Sequence, residues 1–134
     1  MNKSLLVTGA SRGIGAATAL EAAQHGWSLA ADEVVRTIRS HGGNAMAVQA
    51  DVADEAQVLT MFKKIDAKLG PLGGLVNNAG VVDVSARVDE MSVARWRRMF
   101  DINVIGSMLC AREAVRRMST RHGGSGGAIV NVSS

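Results

Sequence analysis

Three closely spaced glycines near the start of the chain have the arrangement of a phosphate-binding turn. Gly9, Gly13 and Gly15 lie in the run TGASRGIG, residues 8–15, between a short apolar stretch and a stretch of small residues. Glycine lets the backbone approach a phosphate, and the N-terminus of a following helix offers N–H donors to an anion. The spacing is not G-x-G-x-x-G, which would need glycine at Thr18. Many such turns are only tight bends, but the position between a predicted strand and a predicted helix favours phosphate binding.

Polar residues follow three further apolar stretches of the chain. Asp51 and Val52 close the third stretch, the run NNAG at 77–80 closes the fourth, and Ser133 and Ser134 close the fifth. The carboxyl ends of parallel strands meet at a ligand crevice. Taken singly, the aspartate could be a helix N-cap and the asparagines could form a turn. Taken together with the glycine-rich turn, they predict a ligand site at one edge of a sheet.

An asparagine also interrupts an otherwise apolar helical stretch. Asn103 lies in the run DINVIG, residues 101–106. Asparagine is a poor residue for a helix interior, because its amide competes with the backbone for hydrogen bonds. We therefore expect the Asn103 amide to have a specific partner.

The elements that must position these residues alternate between strand and helix. Apolar runs predict five strands, at residues 4–8, 27–30, 45–50, around 75–76 and at 128–132. Helical patterns predict helices at 13–25, 32–41, 54–69 and 92–118, the last in one or two pieces. This order predicts an α/β fold with a doubly wound, Rossmann-like parallel sheet in three α/β/α layers.

One connection in this scheme is unusually short. The second predicted strand ends at Ala30 and the second predicted helix opens at Asp32, whereas strand-to-helix connections usually take ~2–6 residues. We expect residues to be absent between about 30 and 31, in preference to a shortened strand. Asp32 follows Gly15 by 17 residues and could be mistaken for an acid that binds a ribose, but its position favours the opening of a helix.

Composition limits the class of protein. The 134 residues suffice for a single domain with a real core, and no apolar run approaches the ~20 residues that cross a bilayer. The net charge of +3 comes with arginines at helical spacing and no aromatic stacking platform, which argues against nucleic-acid binding. The single cysteine, Cys110, indicates a small core residue and a cytoplasmic protein without disulfides. Each histidine precedes a glycine, as at helix ends, so no metal site is predicted.

The combination of these motifs resembles the short-chain dehydrogenase/reductase family, most closely its 3-oxoacyl-acyl-carrier-protein reductases and glucose dehydrogenases. The match runs in order over the whole chain: residues 8–15, Asp51-Val52, the NAG run at 78–80, Asn103 and IVNVSS at 129–134. The resemblance implies an NAD(P)-dependent oxidoreductase that exchanges hydride between the nicotinamide and a carbonyl or secondary alcohol. It also implies a homo-oligomer, a tetramer or dimer, built on helices 92–118. In that stretch Met108, Leu109, Ala111 and Val115 fit either an interface or a core.

The resemblance also implies a role for each motif residue. The cofactor's phosphates and ribose would be held by Gly9, Ser11, Arg12, Gly13, Ile14 and Gly15. Asp51 and Val52 would contact adenine, and Asn78, Ala79 and Gly80 would line the adenosine ribose and the nicotinamide side. Asn103 would hold a water in the proton relay, and Ser134 would hydrogen-bond the substrate carbonyl. Arg12 favours NADP over NAD, since a guanidinium can pair with a 2′-phosphate.

The family's general acid is a tyrosine in a Tyr-x-x-x-Lys motif beyond the serine, and this chain contains no tyrosine. The lysine lowers the tyrosine pKa toward working pH. We therefore expect a single dinucleotide-binding domain, residues 1–134, that is incomplete after residue 134 as well as near residue 30. The alternative is a non-catalytic dinucleotide-binding protein that ends at Ser134.

Overall fold

A parallel five-stranded sheet forms the centre of the molecule in the computed structural model, which describes residues 3–133. The strands run in the order β3-β2-β1-β4-β5 across the sheet. Their bounds are Ser4–Val7 (β1), Ser28–Ala31 (β2), Ala45–Ala47 (β3), Leu72–Asn77 (β4) and Ala128–Asn131 (β5). The order confirms the predicted doubly wound sheet, in which the chain crosses over between β1 and β4.

Five helices flank the sheet. They are Gly13–Gln24 (α1), Val35–Ser40 (α2), Glu55–Leu69 (α3), Val93–Phe100 (α4) and Gly106–Met118 (α5). A π-helical turn, Asp101–Ile105, joins α4 to α5, and two short 3₁₀ turns lie at Val88–Glu90 and Thr120–His122. No helix within the described residues is long and apolar enough to cross a membrane.

The two faces of the sheet carry separate apolar cores, because successive side chains of a strand point to opposite faces. In β1, Leu6 packs on the side of α3 and α5, where Phe62 and Cys110 are fully buried. Leu5 and Val7 pack on the opposite side with residues of α1 and α2. The sheet therefore lies between two helical layers, as predicted.

Helix α3 illustrates how local sequence sets an element. The Asp54 side chain accepts a hydrogen bond from the Gln57 backbone N–H, which caps the first turn. The buried face has the predicted helical spacing and consists of Val58, Met61, Phe62, Ile65 and Leu69. Gly70 ends the helix with a positive φ.

Two predicted boundaries in the first half of the chain are wrong. Strand β3 ends at Ala47 instead of residue 50, because its neighbour β2 ends at Ala31. The Ala31 carbonyl oxygen accepts a hydrogen bond from the Val48 N–H, and β2 offers no further backbone partner beyond it. Helix α2 begins at Val35 instead of Asp32. The three residues 32–34 thus form the connection between β2 and α2, at the short end of the usual range.

The helical stretch from residue 93 to 118 is continuous through the π-helical turn, and its apolar residues divide into two sets. Leu109 and Ala111 pack against the core, whereas Met108 is 62% exposed and Val115 is 45% exposed. The sequence alone did not distinguish an interface position from a core position for these four residues. The exposed set includes Phe100, which lies on α4.

Candidate functional site

A cavity of about 250 Å³ opens at the carboxyl edge of the sheet. Its walls come from the residues that follow β1, β2, β3 and β4, and it therefore lies at the crossover point where doubly wound folds bind ligands. The wall residues with polar groups or exposed backbone are Thr8, Gly9, Asp32, Asp51, Gly80 and Val81. Val52, Ala79 and Ile102 complete the apolar part of the wall.

The glycine-rich turn forms one side of this cavity and leads into α1. Gly9 has a φ of +65°, and a Cβ there would lie 2.9 Å from the Ala79 Cα. A Cβ on Gly15 would overlap the Gly9 carbonyl oxygen and the Asn78 amide. Both positions therefore require glycine, and the turn packs directly against the end of β4.

The N-terminus of α1 stands beside the turn with its anion-binding groups available. Arg12 occupies the N-cap position, and its side chain makes no capping hydrogen bond within the described residues. The first-turn N–H groups of a helix have no intrahelical partners, so they can donate to a ligand. Ser11, Arg12 and Ile14 are exposed, whereas Gly15 is buried. This arrangement suits a phosphate group.

Thr8 ties the glycine-rich turn to β4, and sequence reasoning missed this residue. Its buried hydroxyl accepts hydrogen bonds from the backbone N–H groups of Asn78 and Ala79, both at 3.0 Å. The Asn78 side chain in turn donates to the Gly9 carbonyl oxygen at 3.0 Å. The Asn78 amide therefore anchors the turn. The sequence shows only a hydroxyl residue at the end of an apolar run, which does not reveal that Thr8 has a partner after β4.

Asn103 holds the segment that follows β4. Its Oδ1 accepts a hydrogen bond from the Val81 N–H at 2.7 Å, and its Nδ2 donates to the Val81 carbonyl oxygen at 2.8 Å. The π-helical turn projects this amide out of the helix, as π turns often do at functional sites. The Asn103 carbonyl oxygen accepts from the Ser107 hydroxyl at 3.3 Å. The prediction that this asparagine has a specific partner is confirmed.

Two carboxylates, Asp32 and Asp51, line the cavity on the side of β2 and β3. Asp51 lies beyond the end of β3, and its Oδ1 accepts from the Ala53 N–H at 3.0 Å. Asp32 directly follows β2, so the interpretation of this residue as a helix opening is wrong. Its spacing of 17 residues from Gly15 in the sequence was the available signal, and the helix start predicted at residue 32 masked it.

The end of β5 is fixed to β4 by a pair of asparagines. Asn77 lies opposite Asn131, and its Nδ2 donates to the Asn131 Oδ1 at 3.0 Å and to the Ser107 carbonyl oxygen at 3.1 Å. Ser133 is exposed just beyond this pair. Ser134, predicted to contact the substrate, lies outside the described residues.

Cys110 takes no part in the site. It is fully buried in α5, and this burial raises the pKa of its thiol to about 11. A thiol with so high a pKa carries almost no thiolate at neutral pH. The prediction that Cys110 is a core residue is confirmed.

A comparison with protein-family models matches residues 3–134 to the short-chain dehydrogenases. The chain belongs to this family. Family members use nicotinamide cofactors, and the motif resemblance found in the sequence is confirmed.

Several dehydrogenases and reductases of the family are close relatives in sequence. The uncharacterized oxidoreductase YgfF of Escherichia coli (strain K12) is 50% identical over 138 aligned positions, which cover 96% of this chain and 56% of the relative. The 3-oxoacyl-[acyl-carrier-protein] reductase FabG of Staphylococcus aureus (strain Mu50) is 38% identical over 143 positions, with 100% and 56% covered. The chain thus spans about half the length of the curated relatives it matches.

The fold of this dehydrogenase-family chain also matches solved structures. A 3-ketoacyl-ACP reductase from Sinorhizobium meliloti 1021 superposes with a TM-score of 0.92 at 37% identity, covering 98% of this chain and 53% of the other. A mutant short-chain dehydrogenase/reductase from Serratia marcescens gives a TM-score of 0.88 at 31% identity, covering 98% of this chain and 55% of the other. At these identities the likeness supports the assignment to the family as well as the fold.

Proposed function

We propose that this chain forms the dinucleotide-binding part of an oxidoreductase that transfers hydride between a nicotinamide and a carbonyl or secondary alcohol. One observation carries the proposal: a glycine-rich turn that leads into a helix N-terminus borders, through Thr8 and Gly9, a cavity at the crossover point of a parallel sheet. The relatives whose names state an activity are dehydrogenases or reductases, which supports the same reaction class.

The residues around the cavity suit a nicotinamide dinucleotide. Gly9 and Gly15 let the turn pack closely against the end of β4, and the start of α1 offers donors to a pyrophosphate. Asp32 and Asp51 can accept hydrogen bonds from a ribose or an adenine amino group. A bound nicotinamide supplies the hydride chemistry, and the protein binds and orients it.

Further roles in the reaction follow from the resemblance and from the geometry. We propose that Gly13 and Ile14 donate backbone hydrogen bonds to phosphate, and that Val52 packs against the adenine. Ala79 and Gly80 would support the nicotinamide side, held in position by Asn103. For Ser134 we propose a hydrogen bond to the substrate carbonyl, and we propose that Asn103 holds a water of the proton relay.

The test of this function measures binding and turnover separately on the whole protein isolated from its source, because the family's general acid is a tyrosine and residues 1–134 contain none. Quenching or enhancement of NADPH and NADH fluorescence gives the dissociation constants, and oxidation of either cofactor with a ketone or a 3-oxoacyl thioester gives turnover. We expect binding of a reduced dinucleotide together with turnover. Binding without turnover would favour the non-catalytic alternative, and the absence of binding would contradict both.

For the cofactor we propose NADP, on the basis of Arg12. Its guanidinium makes no capping hydrogen bond within the described residues at the N-terminus of α1, and it can pair with a 2′-phosphate. One observation favours NAD as a second candidate, namely that Asp32 lines the cavity directly after β2. A carboxylate in that position accepts a hydrogen bond from a ribose 2′-hydroxyl and repels a 2′-phosphate.

Two single substitutions decide between these cofactors. If NADP is the cofactor, Arg12→Ala weakens NADPH binding about tenfold and leaves NADH binding unchanged, since a charged hydrogen bond is worth about 1.5–3 kcal/mol. If NAD is the cofactor, Asp32→Asn weakens NADH binding and strengthens NADPH binding instead. Fluorescence titrations of both variants with both cofactors give the ratio of the NADPH and NADH dissociation constants. Arg121→Ala, at an exposed arginine between α5 and β5, is the control for a general loss of positive charge.

We also propose that the protein carries residues beyond those of this chain near position 30. The alignment with the staphylococcal reductase needs 143 positions for the 134 residues of this chain, nine more than the chain supplies. The connection between β2 and α2, with three residues, is a natural location for part of this difference. The intact mass of the protein isolated from its source tests the proposal, and a mass of 14.0 kDa would contradict it.

We propose a cytoplasmic location for the protein. We also propose that it forms a homo-oligomer through α4 and α5. Exposed apolar side chains recur at helical spacing along these helices, namely Val93, Phe100, Val104, Met108 and Val115. A continuous apolar stripe of this kind is typical of a protein interface. A second copy of the chain, presenting the same stripe about a two-fold axis, would cover it.

Substitution of the stripe should separate the subunits. We expect the wild type to sediment as a dimer or tetramer and Phe100→Glu to sediment as a monomer, because a charge in the centre of an apolar interface is left without a partner. Val82→Glu, at a residue that is 96% exposed in the segment after β4, should leave the assembly unchanged. Analytical ultracentrifugation measures all three, and a monomeric wild type would contradict the proposal.

A further inference from the structure

The segment between β4 and α4, residues 78–92, has little regular structure but contributes a wall of the cavity. Its first residues, through Val81, line the cavity, whereas Val82 and Val84 are largely exposed. A segment of this length without buried apolar side chains has few interactions of its own to fix its position. Its position must therefore be fixed by contacts with neighbouring elements.

Thr8 fixes the first two residues of the segment, and beyond Ala79 two side chains of the helical region 93–105 make these contacts. Asn103 binds the backbone of Val81 at the beginning of the segment. Arg95, in the first turn of α4, binds its middle: the guanidinium Nε donates to the Asp83 Oδ2 at 2.6 Å, and Nη2 donates to the Val84 carbonyl oxygen. The segment is thus held at two points by one continuous helical element.

The contact between Asp83 and Arg95 is well organised for an ion pair near the surface. The two side chains are 33% and 28% exposed, and the other carboxylate oxygen of Asp83 accepts from the Val84 N–H at 2.7 Å. The hydrogen bond from Arg95 holds the pKa of Asp83 below its ordinary value. Ser92, the N-cap of α4, accepts from the Arg95 backbone N–H, so the helix turn that carries the arginine is itself fixed.

We propose that Asp83 and Arg95 are positioning residues that hold the Gly80–Val81 wall of the cavity in the geometry needed for the nicotinamide half of the dinucleotide. The inference rests on the proposed function. The wall follows β4, on the far side of β1 from Asp32 and Asp51, so it contacts the opposite half of a ligand that spans the crossover point. Loss of the Asp83–Arg95 ion pair should therefore weaken binding of the nicotinamide half and leave binding of the adenosine half unchanged.

The same segment provides a matched control. Arg87 and Asp89 form a second ion pair at 3.1 Å, but their side chains are 76% and 62% exposed and both belong to the segment itself. Their pair does not join the segment to α4. Asp89→Asn therefore removes a comparable charge from the same segment without releasing it from the helix.

The experiment compares affinity for NADPH with affinity for ADP, which represents the adenosine half alone. Asp83→Asn and Arg95→Gln should each weaken NADPH binding about fivefold and leave ADP binding unchanged, as for the loss of one partly buried, geometrically fixed pair. The double variant should be no weaker than either single variant, because both remove one shared interaction. Asp89→Asn should bind both ligands like the wild type. Hydrogen exchange at the Val81 amide should be faster than in the wild type in Asp83→Asn and Arg95→Gln, but not in Asp89→Asn.

Three results separate the possible failures. A wild type that binds neither ligand overturns the proposed function and the inference together. A wild type that binds both, with NADPH affinities within twofold for all variants, overturns the inference alone. Parallel losses of ADP and NADPH affinity in Asp83→Asn would indicate a general structural role and would also overturn it.

Discussion

Gly15→Ala should abolish measurable dinucleotide binding and lower the free energy of unfolding by about 3 kcal/mol, the upper part of the range for overpacking a filled site. The added Cβ would overlap the Gly9 carbonyl oxygen and the Asn78 amide, both of which belong to the contact between the glycine-rich turn and β4. Since backbone cannot rotate away like a side chain, the turn must shift. NADPH titration and urea denaturation measure the two effects.

Gly26→Ala is the control for this substitution. Gly26 has a φ of +82°, and a Cβ there would meet no heavy atom within 4 Å. Alanine at that position costs only the strain of a left-handed backbone, about 1–2 kcal/mol, far from the cavity. NADPH affinity should then equal that of the wild type. Equal affinities for Gly15→Ala and Gly26→Ala would mean that the turn does not approach the ligand.

The second large effect concerns a buried carboxylate in α5. The Glu113 side chain is 5% exposed and accepts hydrogen bonds from Arg112, Arg116 and Arg117, the shortest at 2.7 Å from Arg116. Arg117 also pairs with Asp66 on α3 at 2.9 Å, and its guanidinium lies 4.9 Å from the centre of the Phe62 ring. This cluster therefore joins α5 to α3 across the core.

Glu113→Gln should lower the free energy of unfolding by about 2 kcal/mol at neutral pH. Removal of one partner from a buried pair costs about 3–5 kcal/mol, and the exposure of Arg116 and Arg112 to water reduces the effect here. Urea denaturation measures the difference. Glu55→Gln, which removes a 58% exposed carboxylate beside Arg112, should change stability by less than about 0.5 kcal/mol.

The effect of Glu113 should depend on pH in one direction. Burial alone would raise the pKa of this carboxyl, but the hydrogen bonds from its three arginines outweigh burial and lower the pKa below its ordinary value of 4.5. A group with a lowered pKa in the folded state stabilises the protein above its ordinary pKa, and this contribution is lost as the pH falls through the folded value. The stability difference between wild type and Glu113→Gln should therefore be constant above about pH 5.5 and shrink below pH 4.5. A difference that grows on acidification would contradict this account.

Local patterns in the sequence were sufficient to predict most of the fold. The apolar face of α3 and its cap at Asp54 follow from helical spacing and capping chemistry alone, and both are observed. The glycine-rich turn and Asn103 were likewise identifiable, because each residue type is costly unless the backbone or a partner requires it. Their common location at one edge followed from the parallel topology.

The features that could not be predicted depend on contacts between distant parts of the chain. Strand β3 ends early because its partner ends, which no pattern within residues 45–50 reveals. Thr8 binds the backbone of a strand 70 residues away, and its hydroxyl gives no local signal of that partner. The ion pair of Asp83 with Arg95 depends in the same way on how an irregular segment folds back on α4.

The location of the bound dinucleotide tests the central claim most directly. Backbone amide chemical shifts of the isotope-labelled protein, recorded by NMR during titration with NADPH, report which residues the ligand approaches. We predict shifts at Gly13, Ile14, Gly15 and Val81 around the cavity, and none at Gly26, which lies at the opposite edge of the sheet just before β2. Shifts confined to the arginine-rich surface of α5, or no shifts at saturating NADPH and NADH, would contradict a dinucleotide site at the carboxyl edge.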